Sequence, residues 1–204
     1  MSAPRIVLAS SSPRRRQLLE MLGIAVEVRP PHIAEVRAAG EAPRAYVERL
    51  AREKAGAVPG DLVLAADTTV VVDGEVLEKP TDTADALRML ERLAGRTHEV
   101  ITAVALRAPG GTRHATDVTR VTFRAAERDV LAAYVATGEP MDKAGAYGIQ
   151  GYGAALIDRI EGDFFGVMGL PVRLVLELME TAGYRYRFPL TNARETLPPS
   201  VSSL

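Results

Sequence analysis

The chain has no cysteine, which removes disulfides, thiolate zinc sites and a cysteine nucleophile from consideration together. No run approaches the roughly 18 apolar residues of a membrane span, and Met1 to Leu8 lacks the apolar stretch of a secretory leader. The expectation is a cytoplasmic protein with no membrane partner. An excess of one charge is missing too: 25 Lys plus Arg stand against 26 Asp plus Glu, for a formal net charge of −1. With no overall basic field to draw in nucleic acid, any polyanion site must be local. Lysine itself is scarce, since 22 of the 25 basic residues are Arg and the only lysines are Lys54, Lys79 and Lys143. Positions that need only positive charge have been filled with Arg, so a surviving Lys suggests a place wanting a compact ammonium on a flexible stem. Side-chain amides are rare as well, with Gln17, Gln150 and Asn192 the whole set.

What is present is an ordinary globular balance, 47% hydrophobic and 25% charged over 204 residues, enough for one compact domain, with or without two lobes. Residues 1–189 are expected to form it, with 190–204 as a flexible tail. Ile6 to Ala9 reads as a strand running into a helix at Pro13, and Gly23 stops that helix before a second strand at Ile24 to Val28. Pro43 opens a helix with Val47, Leu50 and Ala51 on its apolar face. Leu62 to Ala66 reads as a strand buried on both faces, ending at Asp67. Asp73-Gly74 closes a hairpin between Thr69–Val72 and Glu75–Leu77. Thr83–Ala94 is a helix, Glu99–Leu106 pairs antiparallel with Thr116–Phe123, and Glu127–Ala136 is helical. An irregular Gly-rich stretch from Met141 to Gly153 follows, then a strand at Ala155–Ile160, a helix at Pro171–Ala182 and a last strand at Tyr184–Phe188. Parallel and antiparallel signals are mixed, which predicts an α/β fold with a mixed twisted sheet and flanking helices.

Ser10-Ser11-Ser12-Pro13-Arg14-Arg15-Arg16 places three cations in the first turn of a helix. That end is already positive, and each exposed cation there costs about 0.3–1 kcal/mol unless an anion reverses the sign. Backbone donors and guanidinium forks together suit a phosphate; the alternative is a solvated basic helix start. Lys54 follows Leu50 by four residues and so lies on the apolar face of its helix, where it either meets a partner or snorkels to water. Asp67, at the expected strand end, could hold a divalent cation or accept a proton from an attacking water, unless it only begins a turn. Glu35 is a weaker second carboxylate for a metal. Lys79 could reach a phosphate or merely be solvated. Gly145, Gly148, Gly151 and Gly153 let backbone approach a ligand, and Gln150 among them offers donor and acceptor to a base edge. The chain has no Walker A, dinucleotide or His-Glu-x-x-His motif.

Taken together, Leu8-Ala9-Ser10-Ser11-Ser12-Pro13-Arg14-Arg15, Glu53-Lys54-Ala55, Ala66-Asp67-Thr68, Glu78-Lys79-Pro80, the run from Asp142 to Gly151, and Gly169-Leu170-Pro171 resemble the Maf family of nucleoside triphosphate pyrophosphatases. The resemblance implies a cleft between two lobes, a divalent cation (Mg, Mn or Co), release of pyrophosphate and a homodimer. It implies Asp67 as proton acceptor and Arg14, Thr68 and Gln150 as specificity positions. Ser10, Arg15, Lys54 and Lys79 are implied as phosphate ligands, with Lys143 beside the substrate and Glu35 with Asp67 at the metal. The 7-methyl-GTP branch of the family has Trp, Gln and Glu where Arg14, Thr68 and Gln150 stand, so this chain is similar to the branch acting on dTTP and UTP. Where the family often adds an acidic residue just before Glu35, this chain has Ile33 and Ala34, leaving fewer carboxylates for the metal. The rival readings are a purine or modified-nucleotide pyrophosphatase of the same fold, and a nucleotide-binding regulator of cell division that no longer hydrolyses.

Overall fold

The computed structural model describes residues 6–189; the tail expected over 190–204 lies outside them. Its centre is a seven-stranded mixed sheet in the order β2-β1-β3-β5-β6-β7, with β4 paired to β3. β1 (Ile6–Leu8) runs parallel to β2 (Val26–Val28) and to β3 (Val63–Val72), and the other pairings are antiparallel. The Asp-Gly signal holds: Asp73 and Gly74 take φ of 51° and 77° between β3 and β4 (Glu75–Leu77), the left-handed values a tight hairpin needs. β5 (Thr97–Ala108) and β6 (Gly111–Phe123) pair over their whole length, turning at Pro109-Gly110, and β7 (Ile157–Glu161) forms the far edge.

Side-chain alternation along these strands sorts the core. Val63, Ala65 and Val71 of β3 join Ile101, Ala103 and Ala105 of β5 on one face, covered by Val47, Leu50 and Ala51 of α2 (Pro43–Ala57). Leu50 is fully buried there, and its truncation to Ala would cost about 2–5 kcal/mol. The opposite face carries two separate clusters. One gathers Leu64, Ala66, Val104 and Leu106 under α1 (Pro13–Met21) and α6 (Val172–Thr181); the other gathers Val70, Val72 and Val100 under α3 (Thr83–Leu93) and α4 (Arg128–Ala136). These are the two lobes. α3 is capped by Asp82, whose carboxylate accepts from the Asp85 N–H at 2.8 Å. A short helix, α5 (Phe164–Val167), has no counterpart in the sequence reading. Among the described residues no helix is long and apolar enough to cross a membrane.

Two expectations are corrected. Asp67 does not end a strand: β3 continues through it to Val72, because β5 pairs with every residue from Val63 to Val71. Tyr184–Phe188 is not a strand. Among the described residues no strand pairs with it: Tyr184 packs against the first lobe, the Tyr186 hydroxyl donates to the Leu22 carbonyl at 2.9 Å, and Phe188 lies exposed beside Tyr186.

Candidate active site

The site begins with a gap in one edge of β3. On that edge β1 pairs with Val63 and Leu64, then leaves the sheet at Ser10 to enter α1; β4 pairs with Val70 to Val72. Between them, among the described residues, the strand has a partner only on the β5 side, and there a cavity of about 590 Å³ opens. That volume lies within the usual range of small-molecule sites. The ten site residues that the resemblance implies all line this cavity; of the four glycines expected to approach a ligand, Gly148 lines it and Gly145, Gly151 and Gly153 do not.

On the α2 side the floor is ionic. Lys54, only 5% exposed, reaches inward from α2 and its Nζ donates to Asp67 Oδ1 at 2.6 Å. The same ammonium lies 2.9 Å from Glu35 Oε1, so two carboxylates converge on one cation. Asp67 is 6% exposed, and burial pushes its carboxyl above the ordinary range, opposed by Lys54 and then Arg15. Tyr46, one turn before Leu50, puts its hydroxyl 3.1 Å from Glu78 Oε1 and 3.2 Å from the Glu35 carbonyl oxygen, tying the irregular Glu35 segment to α2.

Thr68 is the next residue, so its side chain points to the other face, into the seam between the two lobes. Its hydroxyl accepts from Arg15 Nη2 at 3.1 Å and lies 2.9 Å from the hydroxyl of Thr102, its directly opposed neighbour on β5. Thr102 in turn donates to the Gly166 carbonyl at 2.8 Å. Arg15 also donates to Ser10 Oγ at 3.3 Å and to the Gly169 carbonyl at 2.8 Å. Gly169 holds φ at +105°, and a Cβ there would sit 3.3 Å from Thr68 Oγ1, so the Met168–Leu170 backbone of the first lobe closes tightly on this network. Ser12 is the helix N-cap but makes no side-chain cap; instead Ser10 Oγ accepts from the Ser12 N–H at 3.1 Å. The first amides of α1 are thus left for a ligand.

The facing wall is the Gly-rich stretch, folded into three short 3₁₀ turns at Glu139–Asp142, Ala144–Ala146 and Gly151–Leu156. Arg14 reaches across the mouth to Asp142 at 3.0 Å, joining α1 to this wall. Lys143 turns back on its own segment, donating to the Glu139 carbonyl at 2.5 Å and Asp142 Oδ1 at 2.6 Å. Lys79 is exposed and makes no hydrogen bond or ion pair among the described residues, as is true of the Gln150 side chain. Below the wall, Tyr147 packs edge-on against Phe123 and His98, and its hydroxyl is 2.8 Å from His98 Nε2.

A family model described as "Maf-like protein" matches residues 5–182. The chain belongs to this family. Proteins named "dTTP/UTP pyrophosphatase" are similar to this family member along most of their length. That of Anaeromyxobacter dehalogenans is 53% identical over 89% of this chain and 96% of its own. The Koribacter versatilis protein is 50% identical over 87% and 94%, and the Salmonella typhimurium protein 52% identical over 85% and 91%. Among solved structures, the Staphylococcus aureus Ham1 protein superposes with a TM-score of 0.43 at 15% identity, covering 89% of this chain and 91% of its own.

The sequence reading passed over Tyr46, Glu78, Thr102 and Asp142. Glu78 had a signal in its place beside Lys79, and Thr102 in being a lone hydroxyl among Val100, Val104 and Leu106 on one strand face. Asp142 stood at the head of the quoted run without a role, and Tyr46 acts across a tertiary contact that no local pattern announces.

Proposed function

We propose that this chain is a nucleoside triphosphate pyrophosphatase that hydrolyses dTTP and UTP to the monophosphate and pyrophosphate. The observation that carries the reading is the buried Lys54–Asp67 pair, with Glu35 on the same ammonium, at the floor of a cavity entered beside an uncapped, arginine-rich helix start. In this reading the triphosphate lies against the start of α1, with Arg15, Lys54 and Lys79 offsetting its charge. Asp67, made more basic by burial, accepts a proton from water as the water oxygen bonds to the α-phosphorus. The bond from the α-phosphorus to the bridging oxygen breaks, and pyrophosphate leaves with the electron pair. Gln150, Arg14 and Thr68 face the base, and an amide suits a pyrimidine imide edge because that edge has carbonyl acceptors and one N–H donor.

Among the described residues no group of three or more His, Asp or Glu could hold a metal ion by itself. The donor set still fits Mg²⁺ or Mn²⁺, since such ions take one or two carboxylates and complete their shell with water and substrate phosphate oxygens. Asp67 and Glu35 would hold it. When bound, it supplies charge neutralisation for the pyrophosphate leaving group. The reading extends to a cytoplasmic homodimer, which sedimentation of the purified chain would test.

The deciding experiment incubates purified protein with a nucleotide panel and Mg²⁺, Mn²⁺ or Co²⁺ and separates pyrophosphate from orthophosphate. Pyrophosphate plus monophosphate, formed fastest from dTTP and UTP, is the expected result. Orthophosphate would reverse the placement of the triphosphate, fastest turnover of a purine triphosphate would move the base assignment, and binding without turnover would remove the enzyme reading.

A further inference from the structure

Gln150 and Gly151 form the exposed tip of the wall, and the fastening of that tip is unusual. Upstream, Tyr147 is buried in the lobe under α3 and α4, while Ile149 is buried in the lobe under α1 and α6. Downstream the next buried large apolar side chain is Leu156, six residues on, since Gly151 and Tyr152 are exposed. Instead one carboxylate holds the backbone. Glu139 Oε2 accepts from the Tyr152 N–H at 2.9 Å, and Oε1 accepts from the Gly153 N–H at 3.0 Å. Oε1 also accepts from the Tyr134 hydroxyl at 2.9 Å, and that hydroxyl oxygen accepts from the Gly148 N–H at 3.1 Å. A single Glu–Tyr pair therefore grips the chain two residues before Gln150 and two and three residues after it. The glycines belong to the same device. Gly151 holds φ at +70°, and a Cβ there would fall 2.4 Å from Glu139 Oε2, while a Cβ on Gly153 would fall 2.2 Å from the Gly148 carbonyl oxygen. Neither Glu139 nor Tyr134 lines the cavity.

We propose that Glu139 is a positioning residue for base discrimination, acting through the backbone on both sides of Gln150 without touching the ligand. The inference rests on the reading in which Gln150 faces the base. A side chain with no intramolecular hydrogen bond of its own can read a base edge selectively only if its backbone is held, because a donor or acceptor that drifts accepts the wrong edge nearly as well as the right one. Three bonds into one carboxylate supply that hold, and a carboxylate is the side chain that accepts at both oxygens.

The test compares kcat and KM for UTP and CTP in the intact protein and in Glu139→Gln, Tyr134→Phe and Gln150→Ala. Uracil and cytosine differ at the edge an amide reads. Glu139→Gln keeps one acceptor oxygen and turns an NH₂ toward a backbone N–H, so the UTP-to-CTP ratio of kcat/KM should fall about 3- to 10-fold, the size of one weakened hydrogen bond. The change should appear mainly as a higher KM for UTP. A merely structural loss would lower kcat for both nucleotides alike and leave the ratio untouched. If Gln150→Ala lowers the ratio and Glu139→Gln does not, the proposal is overturned while the base reading stands. If Gln150→Ala itself leaves the ratio unchanged, the base reading fails and the proposal falls with it. Should Glu139→Gln not fold, Tyr134→Phe, which deletes only the bridging hydroxyl, must shift the ratio in the same direction by a smaller factor, and an unchanged ratio overturns the proposal.

Discussion

Asp67 and Thr68 are consecutive residues of one strand, yet the pleat sends them into two different chemical settings. Behind the strand, under α2, lie charges anchored on α2 and β3: an ammonium, two carboxylates on it, and a tyrosine hydroxyl bracing a third. In front lie neutral hydroxyls, backbone carbonyls and a guanidinium, faced by a wall of short turns. The rear set has strong electrostatics and little shape; the front set has shape and modest electrostatics. Proton transfer and charge neutralisation need the first, and telling one nucleotide from another needs the second. Changes behind the strand should therefore alter turnover of every nucleotide alike, and changes in front should alter the ranking of nucleotides.

The largest effect should come from Asp67→Asn, which keeps volume and removes the proposed base: kcat should fall about 10²- to 10⁴-fold for all substrates with the fold intact by circular dichroism. A variant retaining most of its rate would break the comparison at its centre. Lys54→Ala leaves two carboxylates facing each other with one of them buried, so stability in urea should drop by about 3–5 kcal/mol. An unchanged midpoint would mean that the pair is not held in solution.

His98 tests the footing of the front wall. It is buried against Tyr147 with Nδ1 unpartnered among the described residues, and burial lowers its pKa to about 4 from an ordinary value near 6.5. Between those values the unfolded chain takes up a proton that the folded chain refuses, so stability is lost as pH falls through that window. The loss approaches about 3 kcal/mol near pH 4. In urea titrations from pH 7 to 4.5, the stability of His98→Leu should decline less steeply than that of the parent; parallel curves would assign the acid sensitivity elsewhere. The smallest effect on stability belongs to the exposed Arg14–Asp142 pair, where Asp142→Asn should change it by less than about 1 kcal/mol. Freed from that partner, Arg14 should still change the relative kcat/KM of nucleotides, and an unaltered ranking would take Arg14 out of recognition.

The same division explains what could be read from the chain. Lys54 stood out because only three lysines exist, and its helical spacing from Leu50 gave its direction. The helix starts at Pro13 and Pro43 and the Asp-Gly hairpin were legible because each rests on a local backbone constraint. Asp67 looked like a strand end because three polar residues, Asp67 to Thr69, interrupt an apolar run, and only the pairing with β5 shows that the strand continues. Thr102 lies opposite Thr68 by register, and register is not written in either strand alone. Tyr184–Phe188 has the alternation of a strand, but alternation records which side chains are buried and does not supply a pairing partner.

A sheet ordinarily separates two spaces. Where β1 and β4 leave β3 uncovered, it becomes a window, and one bound molecule can be in contact with both sides. On the proposed roles, inheritance can then treat the sides separately: substitutions in front would redirect which molecule is admitted while the ionic group behind is passed on untouched. A designer could use the same partition, varying the wall around Gln150 in a library while leaving Lys54 and Asp67 fixed.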